Sequence, residues 1–252
     1  PVYVEDRVES SPAVGDVDDD GEYEIAVSSN ALKVWMFEAD GTVMPGWPKA
    51  SNVVGDNPAS PVLADVKGDG YLEIIQAGTY GSVAMWNYMG QSLSGWPQSL
   101  GGNCHSSPIV CDLDGDPDME IVVGCDDGKL YAFDSNGDGL NGWPIQTDAE
   151  LFGSPAAGDL DGDGDIEIAI GGMDGSVYIW DCDGDYADGD GVEWGCFLHD
   201  AWRTHSYDYK IPVEIPGDED PWVDTRKLQL AQNAPNPFNP VTTIAYTVPG
   251  EG

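Results

Sequence analysis

The chain has 252 residues, with 46 acidic against 9 basic side chains and a formal net charge of −37. Nucleic acids and anionic membrane surfaces are recognised through Lys/Arg patches, so this balance argues against both as partners. No apolar run approaches the roughly 18 residues that a membrane span needs. The 33 Gly and 18 Pro, beside 41% hydrophobic residues, describe an all-β protein rich in tight turns and not a disordered chain.

The first unit opens at Ser11-Pro12 and continues as a short strand, a polar loop to Glu24, EIAVSS, ALKVWMFEADG and TVMPGWPKA. Its apolar runs are short, rich in Val, Ile, Trp and Tyr, and bounded by Gly, Asp or Pro, which is a pattern of strands. The same unit returns at Ser60-Pro61, Ser107-Pro108 and Ser154-Pro155, the prolines at 12, 61, 108 and 155 being spaced by 49, 47 and 47 residues. Four strands in about 47 residues match one blade of a β-propeller, and the period is that of a repeat architecture. Trp35, Trp86, Tyr131 with Phe133, and Tyr178 with Trp180 fall on the third strands. Gly46-Trp47-Pro48, Gly95-Trp96-Pro97 and Gly142-Trp143-Pro144 fall on the outer strands, with Trp194 expected at the corresponding place in unit four. These tryptophans are read as packing between radially arranged sheets, with carbohydrate stacking as the alternative. Pro1 stands 11 residues before Pro12, as Pro97 does before Pro108, so the chain is expected to start inside a blade of a larger propeller.

Each unit carries one acidic loop between its first two strands. Loop one offers Asp16, Asp18 and Asp20 at positions 1, 3 and 5, then Gly21, and Glu24 at position 9. Loop four repeats this with Asp159, Asp161, Asp163, Gly164 and Glu167. Carboxylates at alternate positions of a tight turn converge on one point, the glycine permits the reversal, and oxygen ligands suit a hard divalent cation. Position 7, which is Glu22, Tyr71, Asp118 or Asp165, would add a main-chain carbonyl. A solvated turn is the alternative for any one loop. Loop three keeps Asp112, Asp114, Asp116 and Glu120 but has Pro117 in place of the glycine, so it must turn differently. Loop two places Lys67 between Asp65 and Asp69, ahead of Gly70 and Glu73. Its ammonium could pair with those carboxylates in place of a cation. Three to four Ca²⁺ ions are expected. The acid excess is otherwise a solubilising or salt-adapted surface.

These loops resemble the FG-GAP/VCBS family of calcium-binding propeller repeats, which includes the integrin α-subunit head, over roughly residues 1–210. The resemblance implies that each loop joins the first and second strand of a blade and binds Ca²⁺ on one rim. It departs from integrins in having Glu at position 9, where Asp is common there. Trp194 to Tyr207 is similar to the segment that ends such propellers in secreted bacterial proteins. His199, Asp200, Arg203 and His205 lie in it and are read as an anchor closing the ring, against a catalytic alternative.

Asp134-Ser-Asn136-Gly-Asp138 and the run Asp181, Asp183, Asp185, Asp188 and Asp190 are read as solvated hairpin turns. The five cysteines have neither zinc nor redox-motif spacing. In an exported protein Cys104 is expected to pair with Cys125 and Cys182 with Cys196, leaving Cys111. Residues 211–225 read as a Pro- and acid-rich linker. Residues 226–252 carry Gln232-Asn233-Ala-Pro-Asn-Pro-Phe-Asn-Pro240, which resembles the start of the Ig-like C-terminal sorting domain linked to type IX secretion and to FlgD-like Ig folds. This implies a secreted or cell-surface protein of a Gram-negative-type bacterium. The expected role is a non-catalytic binding, adhesion or spacer module meeting an extracellular protein or polysaccharide. The rival reading is the propeller portion of a secreted hydrolase or polysaccharide lyase. No nucleophile, zinc-protease or phosphate-loop motif is present.

Overall fold

A computed structural model describes residues 1–50, 59–116, 118–186 and 191–196, and every regular element among them is a β-strand. The linker, the sorting-like tail and the group His199, Asp200, Arg203 and His205 lie outside the described residues.

Blade one is β1 (Ala13–Gly15), β2 (Glu24–Ser29), β3 (Lys33–Phe37) and β4 (Lys49–Ala50). Blade two is β5 (Val62–Ala64), β6 (Glu73–Gly78), β7 (Ser82–Trp86) and β8 (Gln98–Ser99). Blade three is β9 (Ile109–Cys111), β10 (Glu120–Gly124), β11 (Lys129–Phe133) and β12 (Ile145–Gln146). Blade four has β13 (Ala156–Gly158), β14 (Asp165–Gly171) and β15 (Val177–Asp185). Each is an antiparallel meander with strands in sequence order, as the repeat predicts. First strands of neighbouring blades lie against one another, β1 on β5 and β9 on β13, so they line a common centre.

The second strands explain their own composition. β6 (EIIQAG) and β10 (EIVVG) are buried at every residue. A sheet covered on both faces needs a continuous apolar run where a half-exposed one would alternate. Ile74, Ile75, Met85 and Ile121 are fully buried there, each worth about 1.5–3 kcal/mol relative to exposure.

Blades are joined by tryptophan and by serine. Trp47 of blade one meets Trp86 of blade two edge-on at 6.1 Å, and Trp96 meets Phe133 of blade three at 5.9 Å. Their indole N–H groups donate across the same interfaces, to the carbonyl oxygens of Tyr88 (2.7 Å) and Ser135 (3.1 Å). The preceding glycine is required by the approach of the next blade: a Cβ on Gly95 would sit 1.7 Å from the Asn136 oxygen. Ser60, Ser107 and Ser154 also each accept, through Oγ, the backbone N–H of the Ser-Pro serine one blade earlier. Ser11 donates to Ser60, Ser60 to Ser107 and Ser107 to Ser154, each at 2.9 Å.

Blade four departs from expectation. Trp194 is not on an outer strand; it belongs to β16 (Val192–Trp194), which adds antiparallel to β9. The Asp112 N–H donates to the Gly191 oxygen at 2.8 Å, and the Ala157 N–H to the Gly195 oxygen at 2.7 Å. The cause is the length of β15, which runs nine residues, past the aromatic position where its counterparts end. The chain therefore reverses late and returns among the central strands, where Trp194 is 3% exposed.

The Cys104–Cys125 disulfide forms, closing a 21-residue separation. The expected Cys182–Cys196 bridge does not, because Cys182 is a free thiol. Its side chain packs into the core shared by blades three and four, where Cys111 also lies buried.

Candidate metal centres

The four loops share a cage built on position 9. Glu24, Glu73, Glu120 and Glu167 each begin or lie in a second strand and are at most 5% exposed. One oxygen of each is spent identically, accepting the backbone N–H seven residues earlier: Val17 at 2.9 Å, Val66 at 3.1 Å, Leu113 at 2.7 Å and Leu160 at 2.5 Å. That bond closes the loop and fixes the carboxylate facing its interior. A position-5 aspartate then accepts the N–H of position 7, Asp20 from Glu22, Asp69 from Tyr71, Asp116 from Asp118 and Asp163 from Asp165, at 2.8 to 3.1 Å. Position 4 is left-handed throughout, with φ of 57° at Asp19, 65° at Gly68, 80° at Gly115 and 85° at Gly162. Three of the four are glycine, which adopts that conformation without steric cost. This second pivot was legible in the sequence but escaped a reading fixed on position 6.

Position 1 divides the loops into two pairs. Asp16 and Asp65 accept the N–H groups of positions 5 and 6, at 2.8 to 3.0 Å. Asp112 and Asp159 instead accept the N–H of position 4, from Gly115 at 2.8 Å and Gly162 at 2.6 Å. Pro117 lies outside the described residues.

Oxygen atoms converge in three loops. Asp16, Asp18 and Glu24 each bring one oxygen within 4.8 Å of the others, as do Asp112, Asp114 and Glu120, and Asp159, Asp161 and Glu167. Positions 1, 3 and 9 thus form the groups that could hold a metal ion. Asp20, Asp116 and Asp163 stand beside them but cap the turn through one oxygen. Glu22, Asp118 and Asp165 contribute no carboxylate to these groups, in keeping with a main-chain role. Loop two has the cage without the group: Asp65, Asp69 and Glu73 are positioned as elsewhere, but position 3 is Lys67.

The electrostatics are those of acids crowded without a counter-charge. Burial, reinforced by Asp18 and Asp20, pushes Glu24 up to about 7. Burial pushes Glu120 to about 8, with Asp114, Asp112 and Asp116 adding to it. Burial raises Glu73 to about 7 although Lys67 pulls the other way, and it raises Glu167 and Asp18 as well. Oε1 of Glu24, Oε1 of Glu167 and Oδ1 of Asp18 are buried with no hydrogen-bond partner. An unsatisfied buried oxygen costs roughly 1–3 kcal/mol; a cation in loop one would satisfy two of these and a cation in loop four the third. The donor set is oxygen alone, so the residues fit a hard divalent ion.

Two acids outside the loop motif, one expected in a solvated hairpin turn, stand beside position-9 glutamates. Asp181 on β15 pairs in register with Glu167, and Glu38 follows Phe37, which pairs with Ile25 beside Glu24. Asp134 behaves as an ordinary turn cap, its Oδ1 accepting the N–H groups of Asn136 and Asp138 at 2.9 Å. Asp188 and Asp190 lie outside the described residues.

The FG-GAP-like repeat matches over residues 16–76, 65–123 and 112–170, so each match opens on a position-1 aspartate and ends in the following blade. Among solved structures, the chain is similar in fold to the V. cholerae biofilm matrix protein Bap1, with TM-score 0.54 and 23% identity over 74% of this chain and 28% of that one. BamB from Moraxella catarrhalis gives TM-score 0.52 and 16% identity over 71% and 48% of the two chains. BBS1N in complex with ARL6DN, soaked with mercury, gives 0.52 and 13% over 70% and 55%. The chain therefore spans between about a quarter and just over half of the length of these structures. No curated protein matches it in sequence.

Proposed function

The chain belongs to the FG-GAP-like repeat family, and from that premise we propose that it is an extracellular, calcium-stabilised propeller module. Loops one, three and four would each hold one Ca²⁺. Asp16, Asp18 and Glu24 would serve the first, Asp112, Asp114 and Glu120 the second, and Asp159, Asp161 and Glu167 the third. The observation that carries this reading is the position-9 glutamate. It is buried, tied by one oxygen to the loop backbone, and in loops one and four presents its other oxygen unpartnered toward two more carboxylates. The cation would neutralise that charge and lock the first strand of each blade to the second. The role is structural and non-catalytic, presenting the blades to an extracellular protein or polysaccharide.

The Cys104–Cys125 disulfide supports an oxidising compartment, and no helix among the described residues is long and apolar enough to cross a membrane. The sorting-like sequence at Gln232 to Pro240 supports export from a Gram-negative-type cell through a type IX route. The similarity in fold to Bap1, a biofilm matrix protein, is in keeping with a matrix or surface role.

Calorimetric titration of the metal-stripped protein with Ca²⁺ tests the reading. About three sites and a rise in melting temperature are expected. A flat titration with an unchanged melting curve would reduce the loops to acidic turns.

A further inference from the structure

We propose that Asp181 in blade four and Glu38 in blade one each add an anionic oxygen to the cation site of their own blade, making loops four and one tighter sites than loop three. The inference rests on the calcium reading above and names residues outside the loop motif.

The geometry is that of the antiparallel pair. Residues directly opposite on neighbouring strands have Cβ atoms about 4.5–5.5 Å apart and share a face. Asp181 stands opposite Glu167, so its carboxylate emerges beside the one that closes loop four. It lies within electrostatic reach of Asp161, Asp163 and Asp165. Glu38 occupies the matching place in blade one, one residue past the Ile25–Phe37 pair, and feels Asp18 and Asp20. The independent sign of a ligand is shared by these two blades: Glu167 and Glu24, 5% and 1% exposed, each hold a buried oxygen with no partner.

The other two blades supply the contrast at the same register. Blade two has Asn87, whose Oδ1 accepts the Gln91 N–H at 2.8 Å. Blade three has Asp134, whose Oδ1 is spent on Asn136 and Asp138. Both cap their own hairpin turn through Oδ1. Two blades thus have an acid in or just past the third strand whose carboxylate caps no turn, and they are the two whose position-9 glutamate has a second oxygen fully buried without a hydrogen-bond partner. Calcium affinity in oxygen sites is tuned over decades by the number of charged ligands, so one added carboxylate is enough to separate the sites.

The test is calcium titration of the full chain carrying Asp181→Asn, Glu38→Gln, Asp134→Asn or Asp161→Ala, with far-ultraviolet circular dichroism to confirm the fold. Asp181→Asn and Glu38→Gln are each expected to weaken one site by about tenfold without changing the number of sites. Asp181→Glu should restore most of the loss, and Asp134→Asn should leave every affinity unchanged. Asp161→Ala should delete one site. If Asp161→Ala deletes a site while Asp181→Asn and Glu38→Gln leave all affinities within twofold, the inference is overturned and the calcium reading stands. If Asp161→Ala changes nothing, both fail.

Discussion

Loop two and loop four share most of one cage but differ at position 1 and in what the cage gathers. At position 1, Asp65 accepts the N–H groups of positions 5 and 6, and Asp159 that of position 4. Both bury a position-9 glutamate on a backbone N–H, both cap position 7 with a position-5 aspartate, and both turn left-handed at a position-4 glycine. Loop four gathers three carboxylate oxygens and loop two has a lysine where the third would be. The hydrogen-bonded turn and the capacity for a cation are therefore separable. The backbone sets the first, and position 3 is where loop two departs from loop one, whose position-1 bonds it shares and whose three carboxylates it lacks.

Removing the cation is the most forceful way to strain that contrast. Ligand at a hundredfold excess over its Kd adds about 2.7 kcal/mol per site, and three such sites correspond to about 16–32 °C in a domain of this size. Chelation should lower the melting temperature on that scale. If the drop is the same after Asp161→Ala as before it, loop four contributes nothing to it.

The pH dependence of the metal-free protein comes next. Burial raises Glu24 and Glu73 to about 7 and Glu120 to about 8, from 4.5 for the unperturbed group. The folded state then binds more protons than the unfolded state between pH about 4.5 and 8, so metal-free stability falls as pH rises through that window. Calcium favours the ionised carboxylates of loops one, three and four, so the saturated protein should keep only the part of this decline that Glu73 of loop two supplies. Calorimetry at pH 7 in two buffers of different ionisation enthalpy should show protons released on calcium binding. A metal-free melting temperature that rises from pH 5 to 8 would contradict the burial.

A gain of function sharpens the comparison further. Lys67→Asp supplies the missing position-3 carboxylate in a loop that already has the rest of the cage, so one additional calcium should be bound. An unchanged stoichiometry would mean that loop two differs from loop four in more than its lysine. The smallest effect is expected from Asp69→Ala, which removes the cap on the Tyr71 N–H and costs about 1 kcal/mol with no loss of bound calcium.

Much of this was legible in the sequence because the repeat presents each signal several times. The four Ser-Pro units gave the blades, and alternate aspartates gave the loops. The Gly-Trp-Pro signature gave the packing of Trp47 and Trp96. What escaped has identifiable causes. β15 runs beyond its aromatic through Asp181 to Asp185, where the Asp183-Gly184 pair has the composition of a turn, so Trp194, expected at an edge, lies at the centre. Cys182 alternates inward on that same strand, which sequence proximity to Cys196 could not reveal. Asp181 and Glu38 belong to no loop motif, and only strand register brings them to one.

The relay of Ser11, Ser60, Ser107 and Ser154 has a direction. Ser60 and Ser107 each present the amide hydrogen to the following blade and the hydroxyl oxygen to the preceding one, so the two flanks of a blade are unlike. A blade inverted about its own axis would set donor against donor. The contact is heterologous in the sense used for subunits, and heterologous contacts propagate in one sense of rotation. A unit duplicated in tandem by recombination would thus arrive with its polarity already correct. Such a polarity suits a lineage that lengthens and shortens by whole units.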